Sequence, residues 1–245
     1  MQQALSRRGF DAAGVKETEG GPVIGFVERT TLTCGIVREH LKELKAEHLI
    51  SEATPLSALL AVLARRERAF VLVGPEVRGI VTQADLNKPP VRVYLFGLVS
   101  LLEMHLEFWI RWQWPDESWQ PAVKAARIER ARELLSDRRT QGSDVSLLAC
   151  LQFCDKADLV MRKEELRKKL GLTGRKAASR LLDAAEHLRD ELAHSQSDVT
   201  GASSWTDVLA LVGGIEALLQ RSDECVEIAA AAAARGGDDE LWASA

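Results

Sequence analysis

Arg189, Asp190 and His194 stand close together in the segment Ala184 to Ser195, and their side-chain types suit proton transfer and charge stabilisation. An imidazole gives and takes protons near neutral pH, a guanidinium offers directed donors to an anion, and a carboxylate can orient either. At about 100° per residue, Leu181, Ala185, Leu188 and Leu192 fall on one stripe of a helix and should face a core. Asp183, His187, Asp190 and His194 fall on the opposite stripe. Arg189 lies between the two, with a stem long enough to reach round. His187, Asp190 and His194, at spacings of three and four, could also hold zinc from one helical face, although no further Cys or His is clearly placed to complete the shell. A polar stripe opposite a core is equally what an ordinary solvated face displays.

The helix that must position these residues, Lys176–Ala193, belongs to a stretch from Val91 onward that reads as helices only. The expected elements are Val91–Trp112, Pro121–Arg138, Val145–Leu170 with a break near Asp155, Lys176–Ala193, Trp205–Gln220, and a tail helix through the alanines at 229–234. Thr173 is a candidate cap in the turn 171–174, and Gly236 to Asp239 reads as a frayed end. Helices joined by short turns suggest a bundle. Before Val91 the grammar differs. Short β-branched runs at Val23–Val27, Phe70–Val73 and Val77–Thr82 read as strands, with a further strand near His48–Ser51. Leu56, Leu59, Leu60 and Leu63 have helical spacing behind a Thr54-Pro55 start signal. Pro89-Pro90 interrupts the chain, and the domain junction is expected there.

The chain has 245 residues, 46% of them hydrophobic, and a net charge of −4. That length suits two domains, and the charge argues against a generally cationic nucleic-acid-binding surface, though not against a local basic groove. The four cysteines form no CxxC pair and read as reduced thiols. No charged-then-apolar export signal opens the sequence and no run of about eighteen uncharged apolar residues occurs, so a cytoplasmic protein with no membrane partner is expected. The apolar segment from Leu95 to Ile110 carries Glu103, His105 and Glu107 and reads as an amphipathic helix.

The N-terminal part contains a diverged duplication. Val23-Ile24-Gly25-Phe26-Val27-Glu28-Arg29-Thr30-Thr31-Leu32 matches Val77-Arg78-Gly79-Ile80-Val81-Thr82-Gln83-Ala84-Asp85-Leu86, with Val, Gly, Val and Leu at identical offsets. Paired units of this size usually stack and leave a cleft between them. The second copy, Gly79, Ile80, Val81, Thr82 and Asp85 in particular, resembles a CBS domain, a nucleotide-sensing module. The resemblance implies an adenine nucleotide (AMP, ADP or ATP) as regulatory ligand. Thr82 would touch phosphate and Asp85 would accept the ribose hydroxyls. The plainer alternative is that Thr82 ends a strand and Asp85 caps a helix. In the first copy Glu28 stands where Thr82 stands and Thr31 where Asp85 stands, which makes a ribose site there doubtful. The first copy also lacks its leading strand and helix, and residues 33–47 are expected to form a helix bridging the copies.

The helical part, from Val91 to about Arg221, resembles HEPN domains through Arg189, Asp190 and His194, which fit their Arg-x4-6-His motif, and through Leu151-Gln152-Phe153-Cys154-Asp155-Lys156 upstream. The resemblance implies a dimeric helical bundle and a metal-independent RNase needing no catalytic cofactor. His194 would act as general acid or base toward the ribose 2′-hydroxyl, Arg189 would stabilise charge on the scissile phosphate, and Asp190 would orient one of them. DNA, lacking that hydroxyl, should resist.

The expected fold is therefore α+β: a CBS-like tandem over residues 1–90 (first copy about 1–33, second about 46–90), a HEPN-like bundle over 91–225, and an Ala-rich tail over 226–245. The functional expectation is a nucleotide-sensing regulator whose bundle is a dimeric endoribonuclease. The alternative is a non-catalytic sensor or scaffold whose bundle only dimerises or binds a partner. Trp109, Trp112, Trp114 and Trp119 read as packing, and the basic residues Arg162, Lys163, Arg167, Lys168 and Lys169 read as a solvated face that could extend an RNA path.

Overall fold

The strand signals become two hairpins that share one geometry. In a computed structural model describing residues 1–194 and 204–234, the order from the N-terminus is α1 (Gln2–Arg8), β1 (Ala12–Lys16), β2 (Val23–Glu28), β3 (Leu49–Ser51), α2 (Leu56–Arg65), β4 (Arg68–Val73) and β5 (Glu76–Thr82). β1 pairs antiparallel with β2, and β4 pairs antiparallel with β5 and parallel with β3. Val15 faces Gly25 and Lys16 faces Val23, so Ile24 is bulged out; Val71 faces Gly79 and Leu72 faces Val77, so Arg78 is bulged out. Ile24 and Arg78 occupy matching positions in the two sequence repeats, so the duplication extends to an identically placed β-bulge. A glycine follows each bulge for a steric reason. A Cβ on Gly25 would lie 2.6 Å from the Lys42 carbonyl oxygen, and one on Gly79 would lie 3.3 Å from the Val71 Cβ.

The hairpins pack through aromatic side chains, with the Phe26 ring 5.0 Å from Phe70 and 5.4 Å from His48. Leu5, Val27 and Leu32 form the core of the first copy, while Leu60, Leu63, Phe70 and Leu86 are buried in the second. The helix expected over 33–47 is replaced by two single 3₁₀ turns, Val37–His40 and Ala46–His48. The reason lies in Lys42, whose main chain exchanges two hydrogen bonds with Phe26 and so is held extended against β2.

The chain divides after Lys88 into two compact units. The second opens with α3 (Pro89–Gln113), followed by α4 (Ala125–Thr140), α5 (Phe153–Arg162), α6 (Glu164–Lys169), α7 (Arg175–Ala193) and α8 (Trp205–Ala234). The prolines at 89 and 90 occupy the first turn of α3, where a missing N–H costs nothing. α3 is the hub, packing against α5, α7 and α8. Its Val91, Leu95, Val99, Leu102, Leu106, Trp109 and Ile110 are buried. Ser222 on α8 is buried and accepts a 2.6 Å hydrogen bond from the Trp109 indole, with His105 Nδ1 at 2.8 Å, which pins α8 to α3. By length and composition α3 could cross a membrane, and no other described helix could.

Several expected boundaries shift. Pro121 sits in a 3₁₀ turn, Gln120–Ala122, and α4 begins later. The break in the third helix falls at Lys163 rather than near Asp155, and Val145–Gln152 is outside α-helix apart from a 3₁₀ turn. Arg167 stabilises that break by donating 2.5 Å from Nη1 to the Met161 carbonyl at the end of α5. Gly174, not Thr173, caps α7. Trp205–Ala234 is one continuous helix. The frayed end expected at Gly236 to Asp239 lies outside the described residues.

Candidate functional site

Both copies of the N-terminal duplication line a cleft of about 480 Å³. Gly14 and Val23 of the first hairpin and Phe70 and Val77 of the second contribute from equivalent registers, and Lys16 and Arg78 add charge. Thr82 and Asp85 are not part of this lining; they sit where β5 ends. The Thr82 amide and hydroxyl both donate to Asp85 Oδ2, at 2.7 and 3.0 Å, and Lys88 Nζ lies 2.6 Å from Oδ1. This is a capped 3₁₀ turn, and Asp85 already has partners at both oxygens. Partial burial raises the Asp85 carboxyl, but the bonds from Lys88 and Thr82 outweigh it and hold the group below its ordinary value. In the first copy Thr31 also turns inward, donating to the Glu28 carbonyl at 2.9 Å. Glu28, in the place of Thr82, bridges Lys42 at 2.7 Å and Arg68 at 2.8 Å. Its carboxyl is lowered, first by the Lys42 hydrogen bond.

In the helical unit the polar stripe of α7 is exposed as its periodicity requires: Asp183, His187, Asp190 and His194 face solvent. Ala185 and Leu188 are buried with Ala178 and Leu182, whereas Leu181 and Leu192 are only half-buried, so the core stripe is rotated slightly from the expected one. His194 closes α7 in an extended conformation. Its Nδ1 lies 2.8 Å from the Asp190 carbonyl oxygen, which can only accept. Nδ1 therefore carries the proton, and the lone pair of the neutral ring is on Nε2. Asp190 thus orients the imidazole through its main chain. The Arg92 guanidinium, from the first turns of α3, donates to the carbonyls of Glu191, Leu192 and His194 at 3.2, 3.1 and 3.1 Å. A cation at a helix C-terminus satisfies the last carbonyls and complements the dipole.

Arg189 turns the other way, its Nε 3.6 Å from Glu103 Oε2, with 40% of its side chain exposed. Glu103 belongs to a chain of charges that sequence reading did not find. Lys156 is 1% exposed, with Nζ 2.5 Å from Glu103 and 2.6 Å from Glu107, and Glu107 in turn meets Arg111 at 3.2 Å. The order Arg189, Glu103, Lys156, Glu107, Arg111 alternates in sign across α7, α3 and α5. The only local clue was a lysine on the apolar face of α5, where Phe153, Ala157 and Val160 are buried around it.

Other candidates are accounted for by packing. Lys169 lies over the rings of Trp109 and Trp112, at 5.2 and 4.3 Å, and Lys163 over Trp114 at 5.4 Å. Lys168 pairs with Glu164 at 2.8 Å, so much of the basic run is engaged internally. Cys150 is buried, and burial together with Glu186 holds the Cys154 thiol above its ordinary value, which suits inert thiols. Among the described residues His187 pairs with Glu191, at 4.0 Å, and no group of three metal-ligating side chains converges. An open depression of about 680 Å³ beside α4 is lined by Arg111, Arg132 and Arg139 but also by Glu117 and Asp144. The chain matches no protein-family model, no curated protein and no solved structure.

Proposed function

We propose that the chain is a nucleotide-sensing regulatory protein whose HEPN-like helical unit is a dimeric, metal-independent endoribonuclease. The observation that carries the reading is the end of α7, where an exposed His194 has its Nδ1 proton fixed by the Asp190 carbonyl and its basic nitrogen on Nε2. In the proposed step Nε2 takes the proton of a ribose 2′-hydroxyl and the 2′-oxygen attacks the adjacent phosphorus. The bond from phosphorus to the 5′-oxygen of the next nucleotide breaks, that oxygen takes a proton from water, and a 2′,3′-cyclic phosphate remains; the proton on Nε2 then returns to solvent. Arg189, half-exposed and steadied by Glu103, supplies positive charge to the phosphate oxygens. Purified protein should cut single-stranded RNA, leave DNA intact and keep its activity in chelator. DNA cleavage at a similar rate, or inhibition by chelator, would sink the mechanism.

The regulatory part of the proposal is that an adenine nucleotide binds the CBS-like pair. Ligand at ten times its Kd would add about 1.4 kcal/mol to stability, or about 3–6 °C in Tm for a chain of this size. Asp85→Ala should abolish that rise, whereas Glu28→Ala should leave it, because the first copy lacks the Thr and Asp pattern. Unchanged Tm with AMP, ADP and ATP at millimolar concentration would remove the sensor role.

A second reading has its own support. Arg189 and His194 are five positions apart, about 140° around a helix, and Arg189 is already paired. Thr82 and Asp85 likewise satisfy each other. These contacts favour a non-catalytic scaffold, and intact RNA after prolonged incubation with the dimer would select it.

A further inference from the structure

α3 is apolar on two sides. The side opposite its core face displays Val93, Leu101, Met104 and Phe108, exposed by 71, 42, 65 and 40%. Gly97 lies in the same stripe, and a Cβ placed on it would meet nothing within 4 Å. A core helix needs only one apolar stripe, so the outer one calls for a separate partner.

We infer that this stripe is a two-fold interface, on which the α3 helices of two copies of this chain pack antiparallel about an axis beside Ser100 and Leu101. The spacing is self-complementary, as an isologous contact requires. Val93 and Phe108 are equidistant from that axis, and so are Gly97 and Met104. Antiparallel pairing lays the long Met104 of one copy over the open backbone at Gly97 of the other, twice. Positions 97, 101, 104 and 108 follow the alternating four and three spacing that suits helices crossing at a shallow angle. At about 200 Å² for a large side chain, the exposed fractions leave on the order of 400 Å² per copy, or about 900 Å² in all, and the flanking side chains and the Gly97 backbone bring the contact to the lower edge of a specific interface. The polar edge of the stripe is the Glu107–Arg111 ion pair, which is neutral. It lacks the run of Lys and Arg that draws a helix onto an anionic bilayer. Glu107 lies on one flank of the stripe, and Glu103, which holds Arg189, lies further round toward α5 and α7. The inference deepens the dimeric reading above by naming its surface and register.

Light scattering of the full chain at micromolar concentration should give twice the 27.0 kDa chain mass. Met104→Glu should give the monomer with unchanged circular dichroism, because the side chain is exposed, and with Tm lowered only by the lost dimerisation, to a value independent of protein concentration. Gly97→Leu should also dissociate the dimer, because the added bulk lies in the interface while a Cβ at this position meets nothing within 4 Å in one chain. In a Cys34→Ser background, oxidised Leu101→Cys should cross-link to itself. Val93→Cys should not, but should cross-link when mixed with Phe108→Cys. A monomeric parent chain, a dimer unaffected by Met104→Glu, or self-cross-linking of Val93→Cys would overturn the inference. So would a monomer that floats with anionic vesicles in a Met104-dependent way, which would mark a membrane face. The readouts are independent of cleavage: a dimer without nuclease activity keeps the interface and sinks the RNase, and an active monomer does the reverse.

Discussion

His194→Ala is expected to lower the rate of RNA cleavage by roughly 10²–10⁴-fold, the usual worth of a positioned proton-transfer group. Arg189→Ala should lower it by about 10²–10³-fold, as loss of one donor to a developing oxyanion does. Neither change should unfold the chain. His194 is exposed beyond the end of α7, and Arg189 keeps 40% of its side chain in solvent. Loss of Arg189 still leaves Glu103 paired with Lys156 at 2.5 Å. The measurement is single-turnover cleavage of a labelled RNA in chelator, with circular dichroism on each variant and end-group analysis of the products. Asp190→Asn serves as the contrast, because the Asp190 contact to the ring is made by the main-chain carbonyl, which the substitution keeps. Its rate should stay far closer to that of the parent. Unchanged cleavage in the His194 variant would mean a contaminating nuclease and would leave the scaffold reading.

Lys156→Met should cost about 3–5 kcal/mol of stability, the size seen when one partner of a buried ion pair is removed. Met matches the length of the side chain, so the loss is electrostatic rather than a cavity. Glu103 and Glu107 are only 18% and 17% exposed, and without Lys156 each keeps one partly exposed arginine. For a chain of this size the melting temperature should fall by about 6–20 °C. The companion variant Lys156→Met/Glu103→Leu/Glu107→Leu should recover most of that loss, because well-packed apolar groups can replace a buried ion network. It should still cleave RNA poorly, since Arg189 has lost the carboxylate that steadies it. A single-variant loss below about 1 kcal/mol, the scale of a surface pair, would show that water already screens this ammonium.

The sequence determined those features whose cause lies within a short window. The bounds of α7 and its exposed polar stripe follow from a 3.6-residue period. β2 and β5 follow from runs of Val and Ile closed by Glu28 and Thr82, and the repeat between them was readable because both copies keep Gly two residues after Val. β1 was not readable: Ala12-Ala13-Gly14-Val15-Lys16 has little β-branching, and it is a strand because β2 pairs with it. Residues 33–47 looked helical, yet the hydrogen bonds of Lys42 to Phe26 hold the chain there extended. The continuation of α8 to Ala234 and the break at Lys163 likewise depended on neighbours, the latter on the reach of Arg167 back to Met161. At the candidate site the sequence supplied Arg189, Asp190 and His194 as residue types on one helix. Only the packed structure decided which of them meet and what holds each. Glu103 and Lys156 are 53 residues apart. Such pairings are set by how helices dock, because burial makes a charge costly until it finds an opposite one, wherever in the chain that lies.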